Sequence, residues 1–520
     1  MRFWATLTCS DQYRSTTKMT SFLTDLSNVQ GDILLSGLNK EVETFWFFTI
    51  TPGQEKKFCQ KLREVANEIS HTQNTLDTKR NIKDFKSNAG NGNAGNTKLP
   101  TVGANISFSF KGLQKISTVT SISTNTADNV FQTGMKPAAV QDLQDPPKPN
   151  VDGNTPNWED DWLTNQIDGI LLVAGNTPSL VQEKLNKCTQ LFDNSIKLAF
   201  KVSGQVRPGE NKGHEHFGYL DGVSQPSIKN LPGLTKEEAF IPPGQDAIDQ
   251  GIILCGRPGD PSAPLRPAWM LDGSFMCFRK LQQNVQAWQK FLQDSSNTLG
   301  TWPELLGARL IGRWKSGCPV NVSPDFDDRN VGTDVMRNNL FEFDPPGLDG
   351  VSVFDQPPGS RIVCPIGAHI RKTNPRGDLG RKNVDRNRIL RRGIPYGPEI
   401  HEDADAERGL LFVCYQSSLS AGFEFIQKFW ANNPTFRFPG GGVDAVMGQI
   451  NGAPGATVGM MGLFPQDASR QLQLPGVNRF VVARGGEYFF SPSLSALKNE
   501  LSNVSVKAAN GVNGHEELKH

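Results

Sequence analysis

Hydrophobic positions along the chain repeat one arrangement: a short apolar run that reads as a strand, a turn rich in capping residues, then apolar positions at helical spacing. The first run is Phe45 to Ile50. In Thr51-Pro-Gly-Gln54, Thr51 is expected to cap a helix, Pro52 to take its first position and Gln54 to complete a capping box. Phe58, Leu62, Val65 and Ile69 then continue at helix period. The second unit is Ile170 to Ala174, Thr177-Pro178, and Val181, Leu185, Cys188 and Phe192 on one face. The third runs from Leu410 to Tyr415 through a Ser-rich turn to Phe423, Ile426 and Trp430; the fourth joins Tyr488 to Phe490, through Ser491-Pro492, to Leu494, Leu497 and Leu501. Phe275 to Phe278, followed by Val285, Trp288 and Leu292, opens the second half of the chain as Phe45 to Ile69 opens the first. This predicts an internal duplication and an α+β protein of two halves.

Long stretches rich in Gly, Pro, Asn and Asp separate these units: Asn74 to Pro100, Thr118 to Trp162, Pro226 to Leu265 and Ser316 to Gly359. They read as elaborate loops inside one compact protein, with Asn88 to Thr97 as a mobile tip. The expected organisation is an N-terminal arm over 1–40, a first half over 41–225, a connecting loop over 226–270, a second half over 271–505 and a tail over 506–520.

Composition narrows the partners. Lys+Arg 54 against Asp+Glu 53 leaves a net charge of +1, which removes the basic excess of a nucleic-acid binder. No apolar run approaches the ~20 residues that span a bilayer, so no membrane partner is expected. The N-terminus shows only a broken apolar stretch from Phe3 to Leu7, so no secretory signal is legible, and Met19 is a candidate start. The eight cysteines are scattered singly without CxxC or CxxCH, which argues against a zinc ribbon or covalent haem attachment and reads as buried free thiols.

Seven histidines allow a search by exclusion. His401, His515 and His520 lie in polar or small-residue segments, and His71 is read as ending a surface helix. His214, His216 and His369 remain. The first two precede Gly218-Tyr-Leu-Asp-Gly222, which sets an acid between permissive glycines and would otherwise be a plain tight turn. His369 stands in Cys364-Pro-Ile-Gly-Ala-His-Ile-Arg-Lys-Thr-Asn-Pro-Arg376, which could equally be a core histidine beside a solvated basic turn.

Four blocks in order are more specific than any one: Gly218-x-x-Asp221-Gly222, Gly367-Ala-His-Ile-Arg-Lys372, Arg391-Arg-Gly-Ile-Pro-Tyr-Gly397 and Arg408-Gly-Leu-Leu-Phe-Val-x-Tyr-Gln416. Together they resemble the dye-decolorising peroxidase family, most closely its fungal members, over about residues 28 to 505. The resemblance implies two ferredoxin-like halves, antiparallel sheets flanked by helices, with non-covalent haem b in the C-terminal half. It implies hydrogen peroxide as oxidant, dyes and phenolic or aromatic compounds as reductants, and a high-valent iron-oxo intermediate.

By the same resemblance His369 is the axial ligand of the haem iron, with Cys364 as the competing thiolate. Asp221 is the distal acid-base and Arg391 the distal cation, Arg391 being preferred to Arg392 because the motif sets its arginine three residues before Ile394-Pro395. Nothing in the sequence names the acceptor for the proximal imidazole. Arg376, His216 and Lys372 are candidates for the haem propionates. Bulky dyes cannot enter a closed pocket, so a side chain near the surface must relay electrons: Tyr396, in a turn expected to reach the exterior, is the first candidate, and Trp430 the second. The rival readings are a haem-binding, iron-handling protein with little turnover and a non-catalytic scaffold. Gly440-Gly-Gly442 and Gly459 to Gly462 are not followed by Lys-Ser/Thr, so a nucleotide site is not supported. Fungal relatives are often extracellular, and the sequons at Asn105, Asn321 and Asn503 do not decide the matter.

Overall fold

The computed structural model describes residues 24–88, 98–343, 363–436, 441–449 and 480–505, with the backbone of 457–460 and 472–475. The expected loop tip and the N-terminal segment around Met19 lie outside these residues, apart from Asn88. The first half runs β1 (Val42–Ile50), α1 (Glu55–Val65), α2 (Thr72–Asn88), β2 (Val102–Phe108), α3 (Phe110–Ser117), β3 (Gly169–Gly175), α4 (Pro178–Leu191) and β4 (Ile196–Gln205). The second half runs β5 (Ser274–Gln283), α5 (Val285–Leu299), α6 (Pro303–Ile311), α7 (His369–Thr373), β6 (Leu390–Arg391), β7 (Ile394–Tyr396), β8 (Gly409–Gln416), α8 (Phe423–Phe425, continued by a π-turn over Ile426–Ala431), β9 (Val481–Ser491) and α9 (Leu494–Asn499).

All nine of these strands belong to one sheet, in the order β4-β1-β3-β2-β9-β5-β8-β6, with β7 also paired to β8. Numbering strands within each half, both halves read 4-1-3-2, the ferredoxin-like order, and their strands pair antiparallel. The halves join edge to edge where Phe490 of β9 pairs with Phe108 of β2. The sheet curls so that β4 meets β7. There Gly204 is forced by close approach, since a Cβ would lie 2.7 Å from the Pro395 carbonyl oxygen.

Period-two alternation then divides the apolar residues between two layers. Phe45 and Phe47 of β1 point inward against Phe278 of β5, with centroids 4.9 and 5.2 Å apart. Phe48 points outward, where Phe58 of α1 and Phe192, just past α4, stack at 5.1 Å. In the second half Met276 and Phe278 face inward, while Arg279, Leu281 and Gln283 face out toward a cavity.

Several local expectations change. Thr177 does cap α4, accepting from Leu180 N–H with Pro178 at the first position. The first unit differs: α1 begins at Glu55 after Gln54, which makes no side-chain cap bond, and the Thr51 hydroxyl donates instead to the Asn194 carbonyl. Ser493 rather than Ser491 caps α9, because Ser491 ends β9. Helix α2 occupies part of the expected loop from Asn74; it buries only Thr72, Thr75 and Leu76 and so carries no apolar stripe. His71 therefore precedes a helix, and its Nδ1 accepts from Asn74 N–H.

Candidate active site

The outward face of β5, β8 and β9 forms one wall of a cavity, with Leu281, Leu410, Phe412 and Val481 exposed to it; Ile426, Val446 and Met447 close the opposite side. His369, Asp221 and Arg391 line this same cavity.

His369 is the first residue of α7, following the small residues Gly367 and Ala368. Its Nδ1 lies 2.8 Å from Oδ2 of Asp444. Asp444 is buried, and its Oδ1 accepts from Val446 N–H at 2.9 Å and Met447 N–H at 3.0 Å. Burial disfavours ionisation of Asp444, but His369 and these donors outweigh it and hold its pKa below the ordinary value. An ionised carboxylate only accepts, so Nδ1 is the donor, and in the neutral ring Nε2 carries the lone pair. Nε2 makes no hydrogen bond among the described residues.

Asp221 is held by a turn whose Gly218 and Gly222 have φ of +95° and +76°, the left-handed region open to glycine. Its Oδ1 accepts from Gly222 N–H at 2.6 Å and from Arg391 Nη1 at 2.7 Å, which leaves Oδ2 for another partner. Burial favours the neutral acid, yet Arg391 and the Gly222 amide win and the pKa falls below the ordinary aspartate value. Arg391 stands at the end of β6, anchored through Gln225, which accepts its N–H and donates to its carbonyl, and through Nη2 donating to the Ser224 carbonyl.

Arg392 faces the other way. Its guanidinium donates to the carbonyls of Asp32, Ile33 and Leu35 and pins the N-terminal arm, so it does not line the cavity. Four expectations, for His216, Lys372, Arg376 and Tyr396, change. His216 is buried away from the cavity with Nε2 2.9 Å from the Tyr396 carbonyl oxygen; burial and Arg207 lower its pKa to about 4, so it is a neutral ring and a poor propionate partner. Lys372 donates to the carbonyls of Asn433 and Phe436 rather than into the cavity. Arg376 does line the cavity, but it is committed to the carbonyls of Asn339 and Phe341 and lies over the Phe341 ring. Tyr396 is 9% exposed rather than at the exterior, with its hydroxyl donating to Glu407 at 2.8 Å. Trp430 is buried, stacked on Phe436 one turn beyond Ile426 and Gln427, which line the cavity. Cys364 is buried off the cavity, its thiol pushed up to about 12 by burial.

The sequence reading missed two residues. Asp444 lies 75 positions from His369, and no local pattern links them. Arg388 lines the cavity and bonds Asp246 through Nη1 at 3.1 Å.

The profile described as DyP dimeric alpha+beta barrel domain matches residues 28–208, and the profile described as Dyp-type peroxidase, C-terminal, matches 262–436. The chain belongs to the dye-decolorising peroxidase family. It is 38% identical over 500 residues to a dye-decolorising peroxidase of Mycetinis scorodonius, covering 92% of this chain and 88% of that one. It is 36% identical to one of Auricularia auricula-judae, covering 93% and 88%. The solved dye-decolorising peroxidase of Pleurotus ostreatus, a single-residue mutant of that enzyme, superposes with a TM-score of 0.80 at 38% identity over 92% of this chain and 99% of that one. The protein is thus a peroxidase acting on dyes, and membership implies a haem cofactor.

The residues present fit that cofactor. Among the described residues five arginines line the cavity; Arg279, Arg388 and Arg391 pair with Asp145, Asp246 and Asp221, whereas Arg313 and Arg376 make no ion pair, and buried positive charge of that kind is costly without an anion such as the propionates would supply. No group of three or more His, Cys, Asp or Glu among the described residues could hold a metal alone, whereas one imidazole suits an iron whose equatorial ligands come from a macrocycle. No helix of the described residues is long and apolar enough to cross a membrane.

Proposed function

We propose that this peroxidase holds haem b non-covalently through His369, with Asp444 as the acceptor that orients the imidazole and strengthens it as a ligand. Among the described residues no cysteine lines the cavity to offer a thioether. Arg388 is the propionate partner, assisted by the fields of Arg376 and Arg313, whose donors are taken by backbone carbonyls and by Asn339. Bound haem supplies peroxide cleavage and the oxidation of donors. Asp221 would take a proton from peroxide at its free Oδ2 and return it to the departing oxygen, while Arg391 would stabilise the negative charge that develops as the O–O bond lengthens. The observation that carries this reading is that the Asp221–Arg391 pair and the Asp444-backed imidazole open on one apolar cavity. The donors are dyes and phenolic or other aromatic compounds.

The depressed pKa of Asp221 fixes the direction of the pH dependence. A carboxylate with lowered pKa stays a base as pH falls, so activity persists well into the acid range, and activity that is already lost just below neutrality overturns the role of Asp221. Arg391→Gln removes the cation that lowers this pKa and moves the acid limb to higher pH. The reading as a whole is tested by absorption spectra before and after one equivalent of peroxide. The wild type shows a haem band that changes with peroxide and bleaches dye, whereas Asp221→Asn keeps the band but loses about 10²–10⁴-fold in peroxide-dependent turnover. A haem band with no dye turnover would favour the iron-handling alternative.

A further inference from the structure

Behind the cavity wall, three strands bring oxidisable side chains into a row. Phe412 of β8 and Arg279 of β5 are register partners, and both line the cavity. One pleat further, about 7 Å along the strands, Cys414 and Cys277 are partners, and Tyr488 of β9 pairs with Cys277 on its other side. Both cysteines are free and have no exposed surface; Tyr488 is buried. Cys414 Sγ donates to Gln416 Oε1 at 3.4 Å. Phe423 touches both regions, with its ring 6.0 Å from Phe412 and 6.3 Å from Tyr488. The Tyr488 hydroxyl has no hydrogen-bond partner among the described residues.

We propose that Cys277 and Cys414 form a dithiol sink, oxidised to a cross-strand disulfide when peroxide is consumed without an organic donor. The inference rests on the peroxidase reading above, because the oxidant is the peroxide that the active site turns over. The two S–H bonds break and one S–S bond forms, releasing two electrons and two protons. Hydrogen peroxide takes up both as its O–O bond breaks, giving two molecules of water. Peroxide does not react at these sulfurs directly: they have no access to solvent, and burial pushes the Cys277 thiol well above its ordinary pKa, away from the nucleophilic thiolate. Electrons therefore leave through the wall at Phe412 and Phe423. Residues directly opposite on neighbouring strands have Cβ atoms about 4.5–5.5 Å apart, and a bridge needs about 3.5–4.5 Å. Closure draws the strands together by only about 1 Å.

The test uses haem-loaded protein given hydrogen peroxide without dye, then denatured, alkylated and digested. The expected result is the loss of two thiols per chain and a linked peptide pair containing residues 277 and 414. Reductant reverses the linkage, excess dye prevents it, and haem-free protein does not form it. Cys414→Ser and Cys277→Ala each abolish the linked pair; with peroxide alone their haem absorbance bleaches faster than in the wild type, while initial dye turnover is unchanged. A full thiol count after the haem has bleached, or equal loss in haem-free protein, overturns the sink. Dye turnover with intact thiols leaves the peroxidase reading standing, whereas absence of dye turnover overturns that reading itself.

Discussion

The two halves share a strand order but treat the outer face of the sheet differently. In the first half α1 and α4 lie directly on it, and Phe48, Phe58, Phe108 and Phe192 fill the space, each buried completely. In the second half the same topological face carries Leu281, Leu410 and Phe412, and the covering elements stand off to leave a cavity. Residue chemistry follows the division. Of five tyrosines, only Tyr13 precedes residue 219; Tyr219 lines the cavity, and Tyr396, Tyr415 and Tyr488 stand on strands of the second half. The buried aromatic rings of the packed half are phenylalanine and tryptophan, set among aliphatic side chains. A duplicated frame thus separates stability from chemistry: one copy is filled, and the other keeps room for a group that must be held and oxidised.

The sharpest way to break this contrast is a pair of truncations. His369→Ala is expected to lose the haem band and reduce dye turnover to that of free haem, with a chain that still folds. Phe58→Ala, on the packed face, is expected to cost about 3–5 kcal/mol of stability, with turnover per bound haem unchanged in the folded fraction. Denaturant titration and haem absorbance on both variants check this. A His369→Ala protein that retains its haem, or a Phe58→Ala protein that is as stable as its parent, breaks the division. Asp444→Asn is the next smaller effect, at about 10–100-fold in haem affinity or activity. It removes the acceptor's charge while preserving its shape, so an unchanged haem spectrum and rate would show that Asp444 only supports the loop.

How much of this was legible in the sequence depends on range. The strand and helix units were visible because period two and period 3.6 are local signals, and Thr177-Pro178 was read correctly as a cap. Helix α2 was not, because a surface helix with Thr72, Thr75 and Leu76 as its buried residues leaves little apolar rhythm. Asp221, His369 and Arg391 could be picked out because each stands in a dense local block. Asp444 could not, since a carboxylate after a glycine run says nothing about an imidazole 75 positions away. Arg376 was singled out because it follows the His369 block, while Arg388 was not considered; only the tertiary placement of the Asn339 and Phe341 carbonyls commits the first, and that of Asp246 engages the second.

The smallest effect concerns the route by which electrons leave the hollow half. Tyr396 and Trp430 are both nearly buried, so exposure does not choose between them. Proton management does. A tyrosine that gives up an electron must also release its phenolic proton, and the Tyr396 hydroxyl already donates to Glu407, whose pKa is held low by Lys280 and by Tyr396 itself against the opposing effect of burial. Lys280 also lies 5.0 Å above the tyrosine ring. Trp430 stacks on Phe436 with centroids 5.5 Å apart, and among the described residues no carboxylate is bonded to it. Tyr396→Phe is therefore expected to slow the oxidation of large dyes several-fold while sparing small phenols, and Glu407→Gln to reproduce that pattern with the phenol still in place. Trp430→Phe should leave the ratio of the two rates unchanged. Equal loss for large and small donors in Tyr396→Phe would mean that this residue supports β7 and carries no electrons.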